Sequence, residues 1–518
     1  VRGCPAHRRG LILVLVLVVI AMLSLGAYSF SDLMFAQHEA SVLIGKQLQA
    51  RGLVDSGAEA VRLFLSLPPA QQTEAGGHFD NPDRFRGLTL IQSDDPNDRG
   101  NYSIIAPNLD SEGNLTGVRH GLEDESTRLN LNVLTTLDQA MAGMGRQLLM
   151  PLPGMTEDVA DAILDWLDAD DEPREYGCEI EYYSGLTPPY KPKNGPLETV
   201  EELLLVRGVT PQLLFGADIN RNGQLDPHEA GEEESSGGST DPAAFRGWSA
   251  YLTLHSLEWN ITPDRQPRIY LNGNDLNVLY ESLKAVVPEE WAAFIIMYRQ
   301  AGPSTSAVST SPQVAGEGLL DMEYQAQYPI SQILDLIGAQ VQYMAAGSPT
   351  PVVVASPLTE LTMNTYLSQL MDYVTVNPAA TIPGRININQ ASATVLSGIA
   401  STLGTVDPDR AQEIMEAIIS RRSIDVTGEN AAHRHETWLL AEGIVTLEEM
   451  RLLMPLVCGG GNVYRAQVVG YLQNGQASSR VEIIFDATTP LPRILLWRDL
   501  SHLGRGYALE TLGVDLTQ

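Results

Sequence analysis

The sequence predicts an α+β protein with one long N-terminal helix, one small antiparallel sheet, and a large, mainly α-helical insertion between the strands of that sheet. Three observations predict it. An apolar run passes without a turn signal into an amphipathic one and stops near residue 67; strand-rich stretches lie far apart, one after residue 100 and one after residue 462; and the chain between them repeats itself. At 518 residues the chain exceeds what one hydrophobic core usually organises, and its 44% hydrophobic content is that of an ordinary globular protein.

Leu11 to Ser31 carries no charge. As a helix this stretch is about 30 Å long, enough to cross the hydrocarbon of a bilayer. Arg2, Arg8 and Arg9 precede it and hold that end in the cytoplasm by the positive-inside rule. Ser24 and Gly26 weakly satisfy the small-residue pattern of a signal-peptide cut. Against such a cut, Leu33, Ala36, Ala40, Leu43, Val54, Ala58, Val61 and Leu65 continue broadly one apolar stripe until Pro68 and Pro69. One helix of about 55 residues, roughly 80 Å, is predicted.

The strands come next. "NYSIIAPNLDSEGNLTGVRHGL" places apolar runs on either side of a polar turn at Asp110 to Asn114 and reads as a hairpin. In the C-terminal stretch from Val463, Asn474-Gly475 is a strong hairpin turn. Between them, "RLNLN" (Arg128 to Asn132) returns as "RININ" (Arg385 to Asn389). Each copy is followed by an amphipathic helix, "MTEDVADAILDWL" or "DPDRAQEIMEAIISRR", and then by a capping box, Thr199 with Glu202 or Thr446 with Glu449. Two related small helical units are expected. "GPSTSAVSTSPQ" and "AAGSPTPVVVASP" have linker composition, and "MEYQAQYPISQILDLIGAQVQYM" between them is expected to add a helix.

The formal charge is −31. Such a surface repels nucleic-acid phosphates and anionic lipid, and makes divalent cations natural partners. "DINRNGQLDPHE" fits the calcium loop D-x-[DN]-x-[DN]-G-x5-E at every specified place. Asp218, Asn220 and Asn222 would offer side-chain oxygens, Gln224 its carbonyl, Asp226 an oxygen through water, and Glu229 a bidentate carboxylate, with Gly223 making the sharp turn. The flanking sequence lacks a good second helix, so the loop is expected to clip a structure rather than to switch one. Asp168, Asp170 and Asp171 in "DWLDADDEPREYGCEIEYY" form a second candidate metal set, with solvated charge, or neutralisation by Arg174, as the alternatives.

"LPGMTEDVADAIL" has the look of a helix-hairpin-helix unit, but Glu157 and Asp158 in the first turn of its helix would repel phosphate. No nucleic-acid partner is expected. "HRHETW" lacks the i, i+4 histidine spacing of a zinc helix and is expected to be surface polarity, and no nucleophile elbow or phosphate loop occurs, so no enzyme is expected. Cys178 and Cys458 are either one long-range disulfide or two buried thiols.

A basic leader ending in glycine, followed by a long apolar helix that leaves the membrane unbroken, resembles the type IV pilin N-terminus. The resemblance implies cleavage by a prepilin peptidase after Gly10, methylation of Leu11, and packing of the exposed part of the helix on the sheet. Most pilins carry a glutamate five residues after the cut, where this chain has Leu15. A carboxylate in the bilayer is useful only where a neighbouring group neutralises it, so Leu15 suits a subunit with no neighbour above it. "AILDWLDADDEP", "YKPKNGP", "VEELLLVRGVTPQLL" and "RININQASATVL" look like the K-type minor pseudopilins of type II secretion.

That resemblance implies a leader (1–10), the transmembrane and amphipathic helix (11–67), first pilin-like strands (68–127), a first helical domain with the calcium loop (128–350), a second, SAM-like helical domain (351–458) and C-terminal strands (459–518). It implies a non-catalytic subunit of the bacterial inner membrane, its bulk in the periplasm, that caps a short filament and helps start its assembly. The implied partners are I-type and J-type pseudopilins, with H-type and major pseudopilins as further candidates, the peptidase and the secreted substrates. Two rivals stand beside it: a minor pilin of another pilin-like machine, for DNA uptake or adhesion, and a membrane-anchored calcium-binding hydrolase.

Overall fold

A computed structural model describes residues 8–224, 226, 229, 246–304, 313–344, 350–403, 408–424, 426 and 428–514. In chain order it contains α1 (Arg8–Ser66); β1 (Leu88–Ile91), β2 (Gly100–Leu109), β3 (Leu115–His120) and β4 (Glu123–Asp124); an insertion holding β5 (Leu129–Asn130), α2 (Glu157–Leu167), α3 (Pro211–Phe215), β6 (Leu252–Thr253), α4 (Glu289–Ala301), β7 (Ile386–Asn387), α5 (Ala393–Leu403), α6 (Pro408–Arg421), α7 (Leu447–Leu453) and β8 (Val457–Cys458); then β9 (Val463–Leu472), β10 (Ser478–Asp486) and β11 (Arg493–Asp499). Further helices, among them Leu276–Lys284 and Met363–Tyr373, and short strands and 3₁₀ turns fill the intervals.

Among the described residues the apolar half of α1 is exposed throughout, and none before Ala50 is buried. From Val54 the predicted stripe does pack: Val54, Ala58, Val61 and Leu65 bury against Ile104, Val468, Val481 and Ile483. Leu33 and Leu43, from the same stripe, stay more than half exposed. The stripe therefore serves two environments, and only its C-terminal part meets this chain's own sheet. Helix and sheet approach closely at two places, each with glycine on one side: a Cβ on Gly470 would lie 2.4 Å from the Ala50 carbonyl oxygen, and one on Gly57 would lie 2.7 Å from Val468.

The sheet runs β1-β2-β9-β10-β11, with β3 on β2 and β4 on β9, and every pairing is antiparallel. Both hairpins form. Asp110 turns the first by accepting the backbone N–H groups of Glu112 and Asn114, and Gly475 turns the second at φ +71°. The sheet thus joins strands from before and after the insertion, with everything between Asp124 and Val463 looped out between β4 and the central strand β9.

The repeat has a common local geometry. β5 pairs in parallel with β6, and β7 in parallel with β8. In each copy the first asparagine side chain accepts the backbone N–H two residues on, Asn132 to Asn130 and Asn389 to Asn387. The helix after each copy forms as α2 and α6, and Glu449 closes its box with Thr446 at the start of α7. Glu202 likewise caps the Thr199 N–H, but the segment it opens, Val200–Leu205, winds as a 3₁₀ helix.

Three expectations are corrected. Residues 322–344 form no α-helix: they contribute a 3₁₀ turn, Ile333–Leu336, and a strand, Gln340–Tyr343. Pro329 and Gly338 interrupt the pattern, and the alternating Gln340 to Tyr343 fits a pleated surface. The supposed linker after it supplies that strand's partner, Val352–Ala355, through an antiparallel ladder. "HRHETW" is not surface: His433, His435 and Glu436 are buried, with His435 bonded to Asp372 at 2.7 Å and Glu436 to Arg385 at 2.8 Å. Their partners lie more than fifty residues away in sequence, beyond any local pattern. Cys178 and Cys458 are two buried free thiols.

Candidate metal centre

The loop begins where α3 ends. Thr210 caps α3 by accepting the Leu213 N–H at 3.2 Å, Pro211 occupies its first turn, and Gly216 leaves it. The loop's side-chain oxygens then turn inward onto its own backbone. Asp218 accepts the N–H groups of Asn222 and Gly223 at 3.0 and 2.8 Å, and Asn222 Oδ1 accepts the Gln224 N–H at 2.6 Å. Asn220 Oδ1 also receives the Asn222 N–H, at 2.9 Å. Glu229 reaches back across the loop to the N–H groups of Asn220 and Asp226, at 3.2 and 3.1 Å. The amides of Asn220 and Asn222 both donate to one Asp226 oxygen, at 2.6 and 3.0 Å.

All six sequence-predicted positions, Asp218, Asn220, Asn222, Gln224, Asp226 and Glu229, therefore belong to one tight turn. Gly223 adopts φ +71°, the left-handed conformation that the sixth place of such a loop demands. Asp218 and Glu229 are buried together. Burial, and then the nearby Glu229 charge, push the Asp218 carboxyl above its ordinary range, against the two N–H groups that stabilise its anion. Among the described residues no group of three His, Cys, Asp or Glu side chains forms a metal cage. Half of this loop's donor set is Asn and Gln oxygen, and such hard neutral and anionic oxygens suit calcium rather than zinc. The residues fit the ion by donor chemistry.

The second candidate set divides. Asp170 and Asp171 are exposed, capping the Glu172 N–H and accepting from Asn194. Asp168 is taken by Arg174, which also donates to the fully buried Asp165 at 2.9 Å. Gly177 makes room for this cluster, since a Cβ there would lie 1.8 Å from an Asp165 oxygen. Sequence reasoning missed Glu179. It is 4% exposed, and among the described residues neither carboxylate oxygen has a hydrogen-bond partner. Burial first, and then Asp165, Asp168, Asp171 and Asp170, push its pKa up to about 7. Its only sequence signal is an acidic residue following Gly177-Cys178, which by itself says nothing of burial.

α1 is the other functional element: its Ile12–Ser66 stretch is long and apolar enough to cross a membrane. Val1 to His7 lie outside the described residues, Gly10 and Leu11 fall within the first turn of α1, and Leu15 is exposed on it.

Residues 127–215 match the model of the first domain of type II secretion system (T2SS) protein K. The chain is 26% identical over 217 residues to the putative type II secretion system protein K of Escherichia coli (strain K12), covering 40% of this chain and 60% of that protein. It is 46% identical over 56 residues to the type II secretion system protein K of Aeromonas hydrophila, covering 11% and 17%. The matches thus span less than two thirds of either relative. A chain of the GspK-GspI-GspJ complex from the enterotoxigenic Escherichia coli type 2 secretion system aligns over 90% of this chain and 98% of its own, at 11% identity and a TM-score of 0.36.

Proposed function

We propose that this chain, which belongs to the K-type pseudopilins of type II secretion, is the subunit that caps the tip of the periplasmic pseudopilus and helps start its assembly. The observation that carries the reading is the family match of residues 127–215 on a chain whose α1 projects an apolar rod beyond its own sheet. A rod without an intrachain partner beyond the membrane-spanning part calls for neighbouring helices. The insertion between Asp124 and Val463 is bulk that a subunit stacked above would have to displace. I-type and J-type pseudopilins are the proposed partners. Cleavage after Gly10, methylation of Leu11 and a periplasmic head belong to the same proposal, with Leu15 marking a subunit that needs no carboxylate for a neighbour above.

Deleting the chain's gene should abolish export of the system's substrates and the head should co-purify with I-type and J-type subunits. Normal export with full filament assembly in the deletion strain would overturn the reading. Mass spectrometry of the mature protein should find Leu11, methylated, at the N-terminus.

Calcium in the Asp218 to Glu229 loop is proposed as a structural ion, and the buried, unpartnered Glu179 supports a second ion beside Asp168. The Asp218→Ala, Glu229→Ala double variant should lose the part of the chelator-induced fall in melting temperature that the loop contributes, because an ion bound only by the folded state stabilises it by mass action. An equal chelator effect in the wild type and the double variant would leave the loop ion-free.

A further inference from the structure

Residues 217–246 leave the first repeat copy at Gly216 and return to it at Gly247, where a Cβ would lie 2.3 Å from the Gly216 nitrogen. The second copy has no such excursion: α7 ends at Leu453 and β8 begins at Val457. The excursion's described turn touches the helical unit that it departs from through the Arg221 side chain, which pairs with Glu201 at 3.5 Å and lies over the Phe215 ring, but its backbone is held elsewhere. It lies on the sheet face opposite α1, the face that Gln467 and Arg480 share by alternation with the α1-facing Val468 and Val481.

Three successive loop residues make that contact. The Asn220 carbonyl accepts from Arg480 on β10, the Arg221 carbonyl accepts from Gln467 Nε2 on β9 at 2.7 Å, and the Asn222 amide donates to the Gly506 carbonyl of the C-terminal tail at 2.6 Å. Arg480 is fully buried, and among the described residues no carboxylate forms an ion pair with it. Its guanidinium relies on the Asn220 carbonyl and on Gln467 Oε1, which also receives the Tyr507 hydroxyl at 2.8 Å. A buried cation without such acceptors is strongly destabilising. Arg221 presents its carbonyl from φ +55°, a conformation that a residue with a Cβ holds only when its surroundings enforce it.

We propose that the ion loop is a clasp: calcium bound by Asp218 to Glu229 holds the Asn220 to Asn222 turn against β9, β10 and the tail, coupling the first helical unit to the sheet. The proposal rests on the calcium reading of the loop given above. The same three residues serve both sides. The Asn220 and Asn222 amides donate to Asp226, while the Asn220 and Arg221 carbonyls face Arg480 and Gln467 and the Asn222 amide also reaches Gly506. Without a cation, Asp218, Asp226 and Glu229 crowd one turn with negative charge, the turn loosens, and Arg480 loses its acceptor. The tail, whose Tyr507 and Leu512 pack on Val469 and Tyr471, then frays first.

The test is hydrogen exchange on the full-length chain in detergent micelles, in calcium and in chelator, beside a calorimetric calcium titration. Chelation should speed amide exchange in residues 504–514 and at the ends of β9 and β10 by about tenfold or more, while β7 and β8 of the second copy are unchanged. Gln467→Ala should still bind calcium, yet its tail should exchange in calcium as fast as the wild-type tail does in chelator. If calcium binds but tail exchange is indifferent to chelator, or rises equally in both repeat copies, the clasp is wrong and the ion loop stands. If the wild type binds no calcium, both fall.

Discussion

Glu125 and Glu179 are both buried glutamates with opposite electrostatic fates. Burial disfavours the Glu125 anion, but Arg465 and Arg128 outweigh it and hold its pKa at about 2. Its stabilising effect is therefore present above the ordinary value near 4.5 and is lost as pH falls towards 2. Glu179 has burial and four aspartates against it, and its pKa of about 7 lies above its ordinary value. The folded chain there keeps a proton that the unfolded chain releases, so stability falls as pH rises from about 4.5 to about 7, and the loss is complete above that. In chelator, the urea midpoint should drop between about pH 5 and about pH 7.5, and Glu179→Gln should flatten that drop. Neither fate was legible in the sequence. Arg465 stands 340 positions from Glu125, and the aspartates that raise Glu179 come from a turn in which Gly177 leaves room for Asp165.

Elements whose stabilising signal is local were legible, and those whose signal is burial were not. α1, both hairpins, the Thr446 box and the Thr210 cap each depend on residues within a few positions of one another. α4 escaped notice because it is buried all round, Ala292 to Met297 being almost wholly inaccessible, so no amphipathic period marks it. Residues 322–344 misled because isolated apolar spacing there is satisfied by a turn and a strand. The α1-to-sheet contact makes an element-scale prediction. Gly470→Val would place side-chain atoms where the Ala50 carbonyl stands, and should cost about 1–3 kcal/mol, read as a lower urea midpoint with an unchanged slope.

For the molecule as a whole, and among the described residues, the first part of α1 is a rod with no internal partner, and every buried residue lies in the head that starts with the second part of α1 at Ala50. The first side chain of α1 to reach the head is Lys46, which donates to Gln476 at 2.8 Å. Removing residues 1–44 should therefore leave the head's melting temperature within about 2 °C of the full chain's, since deleted side chains that touch nothing contribute little. A larger loss would mean that the exposed half of α1 is docked on the head in solution. The −31 charge acts at this scale too, favouring cations over phosphate at the Asp218 loop and at Glu179.

By itself the sequence determined the long helix, the hairpins, the repeated unit and the oxygen-rich loop, because each is written in spacings of two to twelve residues that local geometry reads directly. Only the tertiary structure decided that strands from before and after the insertion join one sheet, that "HRHETW" is buried among distant counter-charges, and that the ion loop leans on Arg480 and Gln467. The physical reason is that burial and charge pairing depend on which surfaces meet, and that is settled by packing across hundreds of residues.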